Sequence, residues 1–229
     1  MEDLLIIKIG GNLIDDDASL SEFLRDYSQL SSKKILIHGG GKLATDLAQT
    51  LGLKTQMVHG RRITDKETLK VVTMVYGGLI NKTIVSGLQA HGCNALGLTG
   101  ADANLIRAHR RRNAEIDYGF VGDIEHVNAA ALAQLLDAGF MPVLAPLTHD
   151  GAGSMLNTNA DTIAATVARA LYAHYHTRLI FCFDKKGVLA SDDENEVIPR
   201  LTEAEYYRLR AAGVISKGML PKLDNAFEA

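Results

Sequence analysis

Tryptophan is missing from this 229-residue chain, and cysteine and proline are scarce, at two and four residues. Cys93 and Cys182 lie far apart in apolar surroundings, so they form neither a Cys-x-x-Cys metal motif nor a disulfide framework. They read as reduced core thiols of a cytosolic protein. No tract rich in proline, glycine or serine marks a linker, so any two lobes must pack as one body. An excess of one charge is also missing: 24 Lys and Arg against 27 Asp and Glu leave −3. That balance argues against a protein that reads a nucleic-acid backbone. No uninterrupted apolar stretch reaches the roughly 18 residues of a membrane span. The acidic start Met1-Glu2-Asp3 is unlike a signal peptide. These absences predict a cytoplasmic protein with no nucleic-acid and no membrane partner. The 47% apolar and 22% charged content is ordinary for a globular chain and excludes disorder.

What is present is alternation. Short apolar runs at Leu4–Ile9, Lys34–His38, Ala95–Leu98, Met141–Leu147 and Arg178–Phe183 read as buried strands. Segments with helical spacing lie among them at Ser19–Leu30, Lys42–Leu51, Asp65–His91, Asn128–Ala138 and Asp161–Ala173. Strand–helix alternation predicts an α/β fold, a three-layer sandwich with a central, mostly parallel sheet and helices on both faces. Lys54–Ile63 reads as a hairpin around His59-Gly60, and Leu105–Val127 as two β segments; together they predict a small accessory antiparallel patch. Thr64-x-x-Glu67 has the form of a capping box opening the long helix. Gly77-Gly78 in that helix marks either a close helix–helix approach, such as one across a subunit interface, or a kink.

Several phosphate-binding signatures are absent. Gly39-Gly40-Gly41-Lys42 continues with Leu43 and is no P-loop, and no Gly-x-Gly-x-x-Gly follows a strand. A nucleophile elbow, a zinc helix and the protein-kinase motifs are missing too. Instead, glycine clusters close the first two strands, at Gly10-Gly11 and Gly39-Gly40-Gly41. Consecutive glycines expose bare N–H groups to an anion, and the helix after Gly41 adds its positive end. Lys8, ending a buried strand, must snorkel, find a counter-ion or serve a ligand. Asn159 or Asp161 reads as the cap of the following helix or as part of a ligand site. Pro221 reads as a helix start, and Lys222, taken alone, as a surface charge. Arg110-Arg111-Arg112 reads as a solvated loop or as an attractor of anionic ligands.

Taken in order, Ile7-Lys8-Ile9-Gly10-Gly11-Asn12, His38-Gly39-Gly40-Gly41-Lys42, Gly60-Arg61-Arg62-Ile63-Thr64, Asn157-Thr158-Asn159-Ala160-Asp161, Lys186-Gly187-Val188 and Gly218-Met219-Leu220-Pro221-Lys222 resemble the amino-acid kinase family. Gly-Gly-Asn and Gly-x-Arg-x-Thr favour its N-acetylglutamate kinase branch. The resemblance implies one kinase domain over 1–229, with an acyl-amino-acid lobe at about 1–150 and a nucleotide lobe at about 151–229. It implies ATP-dependent phosphorylation of the γ-carboxylate of N-acetyl-L-glutamate, in arginine biosynthesis. Lys8 and Lys222 would neutralise the transferring phosphoryl group, and Asp161 would orient both. Gly40, Gly41, Arg62 and Asn157 would hold the acceptor. Gly10, Gly11, Asp184, Gly187, Lys217 and Gly218 would contact the nucleotide, which carries Mg²⁺ with it; no protein-held metal is expected.

Three departures accompany the resemblance. Family members usually continue beyond the position of Ala229 with a final strand, so the nucleotide lobe is expected to be short of its last segment. Phe183-Asp184-Lys185-Lys186-Gly187 replaces a commoner Thr-Asp-Val-x-Gly. The extra N-terminal helix of arginine-inhibited members is not seen before Leu4, which implies an arginine-insensitive homodimer with the Asp65–His91 helix as interface. The alternatives are an N-succinylglutamate kinase, an aspartate, carbamate or uridylate kinase, and a catalytically silent nucleotide or amino-acid binder.

Overall fold

The computed structural model describes residues 1–58, 61–191, 193, 195–215 and 219–229. The chain opens with β1 (Asp3–Ile9), the single turn α1 (Gly11–Ile14), α2 (Asp17–Ser28), β2 (Lys33–His38) and α3 (Gly41–Thr50). A short pair, β3 (Met57–Val58) and β4 (Arg61–Arg62), precedes α4 (Lys66–Val72), a π-helical run over Thr73–Ile80 and α5 (Asn81–Ala90). Then come β5 (Ala95–Leu98), a 3₁₀ turn at Asp102–Asn104, β6 (Ile106–Arg110), β7 (Gly122–Val127), α6 (Ala129–Asp137) and β8 (Met141–Leu144). β9 (Leu147–His149), β10 (Met155–Asn157), α7 (Ala160–Leu171), β11 (His176–Cys182), α8 (Glu203–Ala211) and α9 (Leu220–Glu228) complete it.

Five parallel strands form the central sheet in the order β11-β1-β2-β8-β5. The inner strands β1, β2 and β8 are buried along most of their length, which is why their sequences read as nearly continuous apolar runs, while the edge strands β11 and β5 are mostly half-buried. One face packs on α2, α3, α4 and α5 through Ile7, Ile9, Leu36, Leu24, Val75 and Ile84. The other packs on α6 and α7 through Leu4, Ile6, Ile35, Leu132, Ile163 and Val167. The three-layer α/β sandwich read from the alternation is the observed fold. A separate small core of Tyr206, Ile215 and Leu223 holds α8 and α9 together.

The accessory region is larger than the sequence suggests. β6 and β7 pair antiparallel as read, but β9 and β10 extend them into a four-stranded sheet in the order β10-β9-β6-β7. The apolar run Met141–Leu147 is therefore two strands in two sheets. Ala145 donates to Leu98 O and Leu147 donates to Ala145 O, while Pro146 between them has no N–H to continue a ladder. The chain turns a corner there. The Lys54–Ile63 hairpin is present as β3 and β4; its His59-Gly60 turn lies outside the described residues.

The long helical stretch Lys66–Ala90 has the length and apolarity to cross a membrane by those criteria alone. Here Val71, Val72, Val75, Ile84 and Leu88 instead form the core under the sheet. Gly77 admits a close approach, but of Leu147 and Thr99 rather than of another helix; a Cβ on Gly77 would lie 3.3 Å from Leu147 Cδ1. The capping box at Thr64 does not form. Thr64 is held extended, bridging to Gly119 and exchanging backbone hydrogen bonds with Tyr118 and Phe120. Asp65 takes the N-cap position and accepts from the Thr68 N–H at 2.7 Å. Asp65→Ala is expected to lower unfolding free energy by about 1 kcal/mol. Glu67→Ala, which removes only an exposed pair with Lys70, is expected to change it by less than about 0.5 kcal/mol; urea denaturation of the two variants checks both values.

Candidate active site

The C-terminal ends of β1 and β2 carry the site. Side chains alternate faces along a strand, so Lys8 follows Leu4 and Ile6 onto the α7 side, where it is buried. α7 begins beside that strand end. Asn159 caps it, accepting from the Thr162 N–H at 3.0 Å, and Asp161 in the first turn turns inward and is buried. Lys8 Nζ lies 2.7 Å from Asp161 Oδ1. Lys222 Nζ lies 3.2 Å from Asp161 Oδ2 and donates a hydrogen bond to it. Two ammonium groups from opposite ends of the polypeptide thus flank one carboxylate. Pro221 sits in the first turn of α9, as its position in the sequence suggests.

Burial on its own would raise the Asp161 pKa, but the charges of Lys8 and Lys222 and their hydrogen bonds outweigh it, holding the carboxyl below the usual range. At Lys8 burial dominates. It lowers the ammonium pKa, Asp161 pulls it back up, and the like charge of Lys222 pushes it down again.

Ile9 pairs with His38 across β1 and β2, which sets the two glycine turns side by side. Gly39 donates to Ile9 O at 3.1 Å, and Gly10 donates to Cys182 O at 3.2 Å. Gly11 and Gly41 each open a helix, so the N–H groups of those first turns have no intrahelical acceptor. Gly40 has φ +139°, and a Cβ there would lie within 2.1 Å of Ile80 Cδ1. Only glycine fits that position on both counts.

Gly39, Gly40, Gly41, Arg62, Tyr76 and Asn157 line a cavity of about 170 Å³. Arg62 Nη2 donates to Gly41 O and to Thr45 Oγ1, both at 2.7 Å, while its Nη1 is buried without a partner among the described residues. A buried guanidinium donor left unpaired is costly; an anionic group in the cavity would satisfy it. Asn157 Nδ2 donates to Thr64 Oγ1 at 3.0 Å, which ties the cavity wall to the extended Thr64. A larger groove of about 1050 Å³ adjoins, lined by Asp161, Lys222, Arg111, Arg169 and Arg210, and the two share Arg61 and Asn159.

The structure therefore brings together Lys8, Asp161 and Lys222, and groups Gly40, Gly41, Arg62 and Asn157 around one cavity. Gly10 and Gly11 border the second glycine turn. Asp184 is exposed and accepts from Asn12 Nδ2 at 3.2 Å, linking the turn after β11 to the first glycine turn. Gly187 lines neither cavity; a Cβ there would lie 2.6 Å from Val197 Cγ1, so it allows the close bridge between Leu189 and Val197. Lys217 and Gly218 lie outside the described residues. Arg110-Arg111-Arg112 is not a bare solvated loop. Arg110 stacks on Phe120 with its guanidinium carbon 3.9 Å from the ring centre, and Arg111 Nη2 pairs with Asp123 Oδ1 at 2.6 Å. Tyr76 and Arg61 were not singled out by sequence. A tyrosine in an apolar helix stripe carries no signal of a cavity wall, and Arg61 is one arginine beside another. Among the described residues, no group of three or more His, Cys, Asp or Glu side chains is placed to hold a metal ion.

If protonated Lys8 supports turnover, activity should fall with rising pH as that ammonium titrates, below the usual lysine range. Asp161→Asn removes the attraction that opposes burial and Lys222 repulsion, so the alkaline limb should move to lower pH. Turnover against pH for wild type and variant measures this; a limb unmoved or moved upward contradicts the coupling.

Comparison with known proteins gives one answer. The chain is 58% identical over 229 residues to an acetylglutamate kinase of Bacteroides thetaiotaomicron, covering all of this chain and 89% of that one. It is 56% identical over 229 residues to an acetylglutamate kinase of Bacteroides fragilis, covering all of this chain and 88% of the relative. Among solved structures, smu.665 from Streptococcus mutans matches with a TM-score of 0.85 and 28% identity, over 100% of this chain and 90% of that one. The model of the amino acid kinase family matches residues 3–229. With its strand-end glycine turns and paired lysines, this chain belongs to the amino acid kinase family.

Proposed function

We propose that the protein transfers the γ-phosphoryl group of ATP to the γ-carboxylate of N-acetyl-L-glutamate, giving an acyl phosphate and ADP, as a cytoplasmic step of arginine biosynthesis. The observation that carries this reading is Asp161 with Lys8 and Lys222 on its two oxygens, beside a cavity whose wall holds an unpaired buried guanidinium nitrogen. Relatives sharing more than half of these residues are named acetylglutamate kinases.

The chemistry needs little beyond position and charge. A γ-carboxylate has an unperturbed pKa of about 4.3 and is already an anionic nucleophile at neutral pH, so no general base is required. What opposes reaction is repulsion between that carboxylate and the anionic γ-phosphate as they come into line. Arg62 and Asn157 hold the α-carboxylate end of the acceptor in the small cavity. N–H groups of Gly11, Gly40 and Gly41 point to the transferring group. Lys8 and Lys222 oppose its negative charge, and Asp161 keeps the two ammonium groups from separating. Mg²⁺ enters as part of the nucleotide substrate, and Asp184 contacts that nucleotide. The chain from about 151 onward forms the nucleotide lobe, and the chain before it the acceptor lobe. Two copies pair through the exposed apolar face of Lys66–Ala90, which carries Met74 and Leu79 at 54% and 59% exposure.

One observation favours a more acidic acyl group, as in N-succinyl-L-glutamate. The Arg61 side chain makes no hydrogen bond or ion pair among the described residues and sits where the two cavities meet. Its pKa is lowered by burial and by the neighbouring Arg111. A second carboxylate on the acyl group would pair it.

Hydroxylamine trapping with ATP and Mg²⁺ is expected to give acyl hydroxamate with N-acetyl- or N-succinyl-glutamate. Free glutamate and aspartate are expected to give none, and UMP no ADP release. The ratio of kcat/KM for the two acyl-glutamates decides between the readings. Lys8→Ala should cut turnover at least ~100-fold, in line with lost electrostatic stabilisers; an unchanged rate of ADP formation would defeat the assignment. Met74→Glu with Leu79→Glu should halve the mass measured by light scattering, and an unaltered mass would place the interface elsewhere.

A further inference from the structure

β2 ends on a polar residue buried among apolar ones. Ile35 and Ile37 face α6 and α7, so Leu36 and His38 turn to the opposite face, under Lys66–Ala90. His38 is fully buried, and burial holds its imidazole neutral, with the pKa down at about 4 despite the opposing hydrogen bond to Gly39. A neutral imidazole offers one N–H and one lone pair, and its neighbours decide which nitrogen is which. Asn81, 1% exposed, places its side-chain Nδ2 2.9 Å from Val143 O and 3.2 Å from His38 Nε2. A carbonyl can only accept, so Val143 settles the orientation of the Asn81 amide. Asn81 Oδ1 agrees, accepting from Lys82 Nζ at 3.1 Å. His38 Nε2 is therefore the acceptor and Nδ1 carries the proton, which it donates to Gly39 O at 2.9 Å.

That last bond acts on the glycine turn. The Gly39–Gly40 peptide is planar and trans, so its C=O and N–H point in opposite directions. Drawing Gly39 O toward His38 turns the Gly40 N–H away from it. No backbone hydrogen bond of Gly40 N–H is found among the described residues, and Gly40 lines the acceptor cavity. Two further side chains of the same helix, Tyr76 and Ile80, press on Gly40 from the other side. They and Asn81 come from the π-helical run and its end, a widened geometry that recurs at functional sites.

We propose that His38 and Asn81 form a buried relay of positioning residues that locks the Gly39–Gly40 peptide with its N–H presented to the transferring phosphoryl group. Neither touches substrate; Asn81 sets the imidazole tautomer, and His38 sets the peptide plane. The inference rests on the reading that Gly40 faces the reacting phosphoryl group. A purely structural pair would lower stability when altered and leave turnover of the folded fraction unchanged.

The test uses two substitutions and one spectrum. His38→Asn keeps a donor near the place of Nδ1, whereas His38→Gln moves the amide out to the place of Nε2 and leaves Gly39 O unheld. For folded protein, verified by circular dichroism, His38→Gln should lower kcat on the order of 10–100-fold with KM for ATP little changed. His38→Asn should stay within about fivefold of wild type. Nitrogen-15 NMR of wild-type protein labelled at histidine should show His38 protonated at Nδ1 and bare at Nε2 from pH 6 to 8, well above its pKa of about 4. Equal losses in the two variants, unchanged kcat in His38→Gln, or a proton on Nε2 would each overturn the relay. Lys8→Ala assayed alongside separates the two failures. If it is inactive while His38→Gln is fully active, the relay alone fails; if it is active, the reading of the site falls and the relay with it.

Discussion

A carboxylate held between two ammonium groups away from bulk water is the constraint on which the rest of this structure depends. Lys8 and Lys222 repel one another, and each loses hydration on entering the site; Asp161 gives each an ion pair and holds both in place. The group carries a net charge of +2 − 1 = +1. It is poorly solvated before any ligand arrives, so folding has already met much of the desolvation cost that an incoming phosphoryl group would otherwise impose. Removing either partner of such a pair leaves a buried charge, which makes the arrangement intolerant of change.

The scaffold delivers this group by simple rules of strand and helix geometry. Alternation along β1 sends Lys8 to the α7 face, and the parallel sheet sets its strand ends beside the first turn of α7, where Asp161 also meets the positive end of the helix. The opposite face of the same strands does a different task. There Leu36 and His38 turn toward Lys66–Ala90, whose Tyr76 and Ile80 lie against Gly40 of the glycine turn and whose Asn81 reaches the His38 ring. One face brings charge, and the other fixes the backbone that the charge acts beside.

Much of this was legible in the sequence. Strand–helix alternation predicted the parallel sheet, and the lysine closing an apolar strand had to snorkel, find a counter-ion or serve a ligand. The order of motifs pointed to the family. Local readings failed where tertiary contacts took over. Thr64 matched a capping box, but its backbone donates to Tyr118 O and accepts from the Phe120 N–H, which holds it extended, and Asp65 caps instead. Met141–Leu147 matched one strand, but the missing N–H of Pro146 and the hydrogen bond from Ala145 to Leu98 bend it into two sheets. Tyr76 matched an apolar stripe whether or not a cavity lay beside it.

By itself the sequence determined the secondary-structure rhythm, the glycine clusters after the first two strands and the identity of the charged residues, because these follow from local backbone sterics and side-chain chemistry. Tertiary structure alone decided that residues 8, 161 and 222 meet. It also decided that Arg62 keeps one donor unpaired and that Asn81 reaches the ring of His38. The contacts of Asn81 with His38 and of Lys222 and Lys8 with Asp161 join residues 43, 61 and 153 positions apart, and no local propensity encodes such distances; they exist only once strand register and helix packing have closed around them.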